Sequence, residues 1–501
     1  MSANRAMLTA VACVALLLGV LAPGSGAQTE PAPPPLVGGG ATPVGSPSPY
    51  PDVAYIEMLF PGGQQASCTA TLVDPEWLLT AAHCLQSNDN LGPDLFAIDL
   101  PFIILGSANA ATDINNPGPG VEFHEPAGFI IHGEYDPLTF DNDVALIKLA
   151  QPSSITPRQI ATNTALTVPA SDGASLPGQV LGFGGTCVLP CASFSSDFTL
   201  REGPTTLRTA DYARNTIGAA VPGAIDDSTI IAVPSTAQAG LCPGDSGGPL
   251  FVDDGGTLKL AGVNSHLYFG VNGFCAPFDG SVYVNGFADI VGSNLADWVN
   301  QIVNAAPRTC LGAPVTLMGS TYPDKLIGTA GVDSIHGDRG ADVIYGYASG
   351  DHLCGGKAGD LIVGGSGPDQ IAGHSGRDTI DGDSGADVID GGSAGDDIAG
   401  GTGADVITGG TGHDIIFGNG GTDTIFGEGG DDIISGGKKG DVISGGKGDD
   451  DISGNSGRDD ISGKSGNDVI SGGSAADTIS GGTGVDACSG GTGADVITSC
   501  E

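Results

Sequence analysis

The sequence predicts an all-β protein built in two different ways. Up to about residue 306, short β-branched and aromatic runs are broken by Gly, Pro, Asn and Asp clusters; from 328 to 498 the chain repeats every nine residues. A third observation, 86 glycines in 501 residues, excludes one compact core of ordinary composition.

The elements follow in chain order. Residues 1–27 read as an export signal. Arg5 precedes the apolar run "AMLTAVACVALLLGVLA", and Ser25 and Ala27 offer a small-x-small cleavage site. The run is at the short edge for spanning and Pro and Gly follow it, so a cleaved signal is favoured over an anchor, and no membrane span is expected after its removal. Ten cysteines then remain, an even number that favours disulfides and a secreted, extracellular location. No paired CxxC motif points to zinc.

Between 36 and 306 the runs "VAYIEMLF", "CTATLV", "WLLTAA", "FIIHG", "DVALIKL", "GQVLGFG" and "LKLAGV" read as strands of a barrel or sandwich. One helix is expected at 294–305, with Asn294 as its cap and Leu295, Trp298, Ile302 and Val303 on one face. A linker at 307–318 leads to the second architecture, at 319–501.

Nineteen nonapeptides fit one frame, preceded by a degenerate unit, "GSTYPDKLI", that reads as a cap. Position 6 is always aspartate: Asp333, Asp342, Asp351, Asp360, Asp369, Asp378, Asp387, Asp396, Asp405, Asp414, Asp423, Asp432, Asp441, Asp450, Asp459, Asp468, Asp477, Asp486 and Asp495. Position 8 is Ile except at Leu353 and Cys488. Glycines permit tight turns with positive φ. The last three residues of each unit are expected to form a strand with position 8 inward. One Ile cannot bury itself, but stacked units can, two to a coil. Stacking then sets the carboxylates in two rows, where neighbours about 5 Å apart repel by roughly 1 kcal/mol in water and by more in a lower dielectric. A hard cation reverses that sign, and Ca2+ suits it because it accepts many flexible oxygen ligands.

These units resemble the RTX, or haemolysin-type, calcium-binding nonapeptide repeat. The resemblance implies a parallel β-roll holding Ca2+ in both rows of turns. The formal net charge of −41 agrees with a cation partner and speaks against nucleic acid. Within this frame the "GDSG" at 382–385 is the start of a nonapeptide, and Ser384 is a turn residue.

The same letters at 244–247 have other company. "LLTAAHC" (78–84), "DNDVALIKL" (141–149) and "LCPGDSGGPLF" (241–251) supply a His, an Asp and a Ser in that order. Amide hydrolysis at neutral pH needs a hydroxyl activated by an imidazole, itself held by a carboxylate. The three segments resemble the motifs of chymotrypsin/trypsin-like serine peptidases, whose fold is a double β-barrel with a C-terminal helix.

The resemblance implies His83 as general base and acid, Asp143 as its orienting partner and Ser246 as nucleophile, with Gly244 and Ser246 N–H groups as the oxyanion hole. It also implies disulfides Cys68–Cys84 and Cys242–Cys275, with a small loop between Cys187 and Cys191. The pairing of Cys310, Cys354, Cys488 and Cys500 stays open: Cys310–Cys354 would tie the linker to the roll and Cys488–Cys500 would close its end.

"LVGGG" at 36–40 looks like a mature start after a propeptide at 28–35, so that the Leu36 ammonium would pair with Asp245, as in a zymogen. Gly240 falls at the base of the substrate pocket, with Ser265, Leu267 and Ser281 on its walls. Without a carboxylate there, Arg and Lys lose their ion pair, and small or medium apolar P1 residues are expected. The chain thus reads as a secreted serine endopeptidase acting on proteins or peptides without a cofactor for its chemistry. Its calcium-dependent roll would serve stability, folding after export, or attachment to a cell-surface or matrix ligand. The rival reading is a calcium-dependent adhesive or surface protein whose protease-like domain is non-catalytic.

Overall fold

The computed structural model describes residues 42–43, 45, 47–60, 64–87, 95–96, 99–137, 140–161, 176–183, 186–187, 194–195, 199–208, 229–234, 246–268, 284–291 and 294–500. The chain forms two compact units, one of residues 1–126 and 134–299, the other of 127–133 and 300–501.

Among the described residues, the first unit contains two large antiparallel sheets. One runs through Glu122–His124, Asp99–Leu105, Val53–Phe60, Gln64–Asp74, Trp77–Thr80 and Ala145–Leu149. The Ala150 N–H donates to the Glu125 carbonyl at 2.8 Å, joining the last strand to the end of the first. The other runs through Arg201–Arg208, Leu176–Gly182, Pro249–Asp253, Leu258–Tyr268, Val284–Asp289 and Thr229–Pro234, which pairs back with Arg201–Arg208 and closes a barrel.

Apolar residues on both faces of the strands fill both. Tyr55, Ile56, Leu72, Leu78 and Leu79 are fully buried in the first, Phe251 and Phe287 in the second, and the consecutive pairs Tyr55/Ile56 and Leu78/Leu79 point to opposite faces. The two sheets meet through Arg158, whose guanidinium makes a two-pronged ion pair with Asp52 at 2.6 and 2.7 Å, donates to the Leu258 carbonyl at 3.0 Å and lies 4.5 Å over the Phe251 ring. The expected helix spans Asn294–Val303. Leu295, Trp298, Val299 and Ile302 are its buried residues, so Val299 takes the place expected of Val303.

The second unit is a parallel β-roll of about 10 turns. Each residue pairs with the one eighteen further on, as in Ile335↔Leu353 and Ile344↔Ile362. Position 8 is buried from Ile335 to Ile479, as its constancy requires. The strands are mostly six residues long, where three were expected. Thr379–Ser384 is typical: it runs through position 3 of the next unit, whose positions 2 and 3 also pair, Gly365↔Asp383 and Ser366↔Ser384. Ser384 therefore ends a strand and donates to the Gly365 carbonyl at 3.4 Å.

Three devices finish the roll. The segment Pro126–His132 lies antiparallel on Asp324–Ile327, the first strand of one of the roll's two sheets, with Ile130 opposite Leu326. Cys310–Cys354 joins the linker to the third nonapeptide and Cys488–Cys500 closes the far end.

Candidate functional site

His83 sits on a one-turn helix, Ala82–Leu85, that follows the fully buried strand Trp77–Thr80. The Cys68–Cys84 disulfide pins this turn to the strand Gln64–Asp74. Asp143 precedes the strand Ala145–Leu149 and follows Asn142, whose φ of 53° brings the chain sharply inward. Phe140, also at positive φ, sets its ring edge-on to the His83 imidazole at 5.7 Å.

The Asp143 carboxylate is fully buried and accepts three hydrogen bonds. The His83 backbone N–H reaches Oδ1 at 2.9 Å. The His83 Nδ1 lies 2.7 Å from Oδ2, and the Ser265 hydroxyl donates to Oδ2 at 2.6 Å. A carboxylate only accepts, so Nδ1 carries the proton and Nε2 is left as a base. The imidazole stays 17% exposed, enough to meet a substrate.

Backbone contacts on either side tie Ser246 to segments that adjoin this pair. Its carbonyl accepts from the Thr69 N–H at 2.8 Å, next to Cys68. Gly247 follows at φ 76°, and a Cβ there would lie 2.1 Å from Thr80 Oγ1, 2.2 Å from the Thr69 carbonyl and 3.1 Å from Ala81 N. Only glycine permits that approach, two residues ahead of His83. On the other side the Gly247 N–H donates to the Asn264 carbonyl, and Asn264 adjoins the Ser265 that bonds Asp143. Three segments distant in sequence thus meet.

Ser265 was expected on a pocket wall; it is buried and turned onto Asp143. Nothing in its local sequence signals this, because the partner is 122 residues away. Leu36, Gly240, Gly244, Asp245, Ser281, Cys191, Cys242 and Cys275 lie outside the described residues, as do the side chains of Leu267 and Cys187. Ligand atoms of Cys68, His83 and Cys84 gather within 4.8 Å, but both sulfurs are in the disulfide and offer a metal no thiolate.

The roll presents a second site. Along both rows each position-6 N–H donates to the Oδ1 of the aspartate eighteen residues on, at 2.8–3.1 Å. From Asp342 to Asp477 the second oxygen, Oδ2, is buried without a hydrogen-bond partner. Burial, reinforced by Asp324 and Asp360, pushes the Asp342 carboxyl up to about 9; burial likewise raises Asp351, Asp387 and Asp450 to about 7. Buried carboxylate oxygens in file are the donor set of a hard divalent cation, and the charge of a cation on them would offset the cost that burial places on their ionised form. Position 1 completes the cradle: a Cβ on Gly382 would lie 2.6 Å from the Gly400 carbonyl and 2.8 Å from Asp387 Oδ2. The residues present fit Ca2+, which bound there would neutralise and cross-link successive turns.

Residues 44–290 match the trypsin family, and six windows from 318–353 to 462–497 match the RTX calcium-binding nonapeptide repeat. Brachyurin of Leptuca pugilator is 33% identical over 186 residues, 36% of this chain and 70% of brachyurin. Tissue-type plasminogen activator of Homo sapiens is 28% identical over 213 residues, 40% of this chain; the chain spans 35% of that relative's length. Among solved structures, HL collagenase is 26% identical with a TM-score of 0.37, covering 50% of this chain and 93% of the collagenase. RTX nonapeptides bind Ca2+, and trypsin-like proteolysis needs no cofactor. The chain belongs to the trypsin family, and a calcium-binding RTX β-roll follows its protease domain.

Proposed function

We propose that the chain is a secreted serine endopeptidase that cleaves proteins or peptides by a His83–Asp143–Ser246 triad. One observation supports this reading: a fully buried carboxylate held by three donors orients His83, while backbone contacts of Ser246 and Gly247 reach Thr69 and Asn264 in the adjoining segments. Ser246 Oγ attacks the scissile carbonyl as His83 Nε2 takes its proton. The tetrahedral oxyanion is met by the N–H groups of Gly244 and Ser246. His83 then protonates the leaving amine, and water, deprotonated by the same nitrogen, releases the acyl group. Asp143 stabilises the imidazolium throughout without taking its proton.

The finer assignments rest on motif position. Leu36 and Asp245 form the activation pair of a zymogen, and Gly240, Leu267 and Ser281 define a pocket for small or medium apolar P1 residues. The three disulfides among the described residues and the apolar leader support an extracellular site of action. The roll stabilises the enzyme where Ca2+ is plentiful, or attaches it to a surface ligand.

An active-site serine reagent tests the reading. Labelling at Ser246, with peptide hydrolysis abolished in Ser246→Ala, is expected. A folded, calcium-loaded chain that neither labels nor cleaves would instead support the calcium-dependent adhesive reading.

A further inference from the structure

The two rows of aspartates are not uniform. Asp324 heads one row and Asp333 the other. In both, Oδ2 is already taken. Asp324 Oδ2 accepts from the Ser320 N–H at 2.6 Å and the Ser320 hydroxyl at 2.9 Å. Asp333 Oδ2 accepts from the Thr329 N–H at 2.6 Å and the Thr329 hydroxyl at 3.1 Å. Ser320 and Thr329 occupy position 2 of their units.

Position 2 behaves differently everywhere else. From Asp338 to Gly491 every position-2 residue has a positive φ, whether glycine or not: Gly401 at 98°, Lys464 at 76°, His374 at 73°. Ser320 and Thr329 are not among the positive-φ residues. Their backbone turns the N–H onto the aspartate of the same unit, and a β-hydroxyl adds a second donor. An oxygen that accepts two short hydrogen bonds has no lone pair left for a cation, and stripping both donors to admit one leaves them unpaired, fully buried at Ser320 and half-buried at Thr329.

The far ends agree. Asp486 and Asp495, last in each row, are not among the aspartates whose Oδ2 is buried and unpartnered. Oδ2 therefore belongs to the gap between a turn and the next turn of its own row. Eighteen such gaps exist, one for each N–H to Oδ1 bond, but only sixteen have an unpartnered Oδ2.

We infer that the roll holds sixteen calcium ions, beginning at Asp342 and Asp351, and that its first two turns are closed by Ser320 and Thr329 instead of by metal. The first coil needs no cation for its other bonds either. Its strand Asp324–Ile327 pairs with Phe129–His132, Gln301 Oε1 accepts from the Thr321 N–H and hydroxyl, and Cys310–Cys354 ties the linker to the third unit. The coil is a metal-independent cap, offering a formed edge on which the calcium-dependent turns stack.

The test uses the full chain in a Ser246→Ala background, to prevent self-digestion. Calcium per chain is counted by elemental analysis after equilibrium dialysis. Sixteen ions are expected, and eighteen would overturn the inference. Asp324→Asn and Asp333→Asn should leave the count unchanged, whereas Asp387→Asn should lower it; a fall in either of the first two overturns the inference. The double variant Ser320→Gly, Thr329→Gly removes both hydroxyl donors and admits the positive φ that position 2 adopts in the other units, turning its N–H off the aspartate; it should raise the count to eighteen, and a folded double variant that stays at sixteen counts against it. Hydrogen exchange of the native chain in chelator gives an independent reading. Slow exchange of the Ser320 and Thr329 amides without calcium is expected, and rapid exchange there refutes the metal-independent closure.

Discussion

Replacing Asp143 with Asn probes the proposed triad at its buried member. The change keeps volume and shape, so packing is not the variable. The Asn oxygen can keep the bond that Oδ1 now accepts from the His83 backbone N–H at 2.9 Å. The other atom then becomes an NH2 donor facing the Ser265 hydroxyl, now at 2.6 Å, and His83 Nδ1, now at 2.7 Å. The hydroxyl can rotate to accept. Nδ1 can accept only by giving up its proton, which moves to Nε2, the atom that must deprotonate Ser246. The opposite amide flip sets NH2 against the His83 backbone N–H, a buried donor–donor contact costing about 1–3 kcal/mol. In Ser-His-Asp triads the loss of the correct tautomer lowers kcat by about 10⁴-fold, roughly 5 kcal/mol of transition-state stabilisation. The assay is kcat and KM on a peptide amide, with thermal melting to confirm folding. The expected result is a kcat loss of at least about 10³-fold with KM nearly unchanged. A folded variant losing less than about tenfold would refute the orienting role.

Three further outcomes follow from single contacts. Ser265→Ala removes one of the three donors to Asp143 and should lower kcat by about tenfold, near 1.4 kcal/mol, without moving KM; a loss as deep as that of Asp143→Asn would contradict the division of labour. Asp52→Ala leaves the Arg158 cation between the two barrels without its carboxylate and should cost about 3–5 kcal/mol by thermal or chemical unfolding of the protease domain; a cost below about 1 kcal/mol would show the ion pair to be solvent-screened. Burial lowers His132 from its usual 6.5 to about 4. Its neutral form is the folded one, so its contribution is complete above pH 6.5 and is lost as pH falls from there to about 4, by up to about 3 kcal/mol at 1.36 kcal/mol per pH unit. The stability difference between the native chain and His132→Phe, followed from pH 7 to pH 4, should show that slope; parallel curves would contradict it.

Much of the architecture is legible before any coordinates. The nine-residue frame, with Ile in phase at position 8, dictates a stacked coil because no single unit can bury its own side chain. That frame also separates the two "GDSG" copies: Ser384 sits in a strand of the roll, and Ser246 follows a histidine and an aspartate in order. The strand length was underestimated because Asp383 and Ser384 carry no β-propensity; they pair only because the neighbouring coils present Gly365 and Ser366 in register.

Local chemistry, then, was determined by the sequence: the residue types of the triad, the calcium-binding repeat and the cysteines that frame His83. The tertiary structure decided what depends on partners far along the chain. It turned Ser265 onto Asp143, 122 residues away, and required Gly247 to be glycine because Thr69 and Thr80 crowd it. It laid Phe129–His132 along the first strand of one of the roll's two sheets and closed two turns with Ser320 and Thr329. A periodic pattern is written within each repeat and so can be read from one. A long-range hydrogen bond or a forbidden Cβ exists only once both halves of the contact have been folded together.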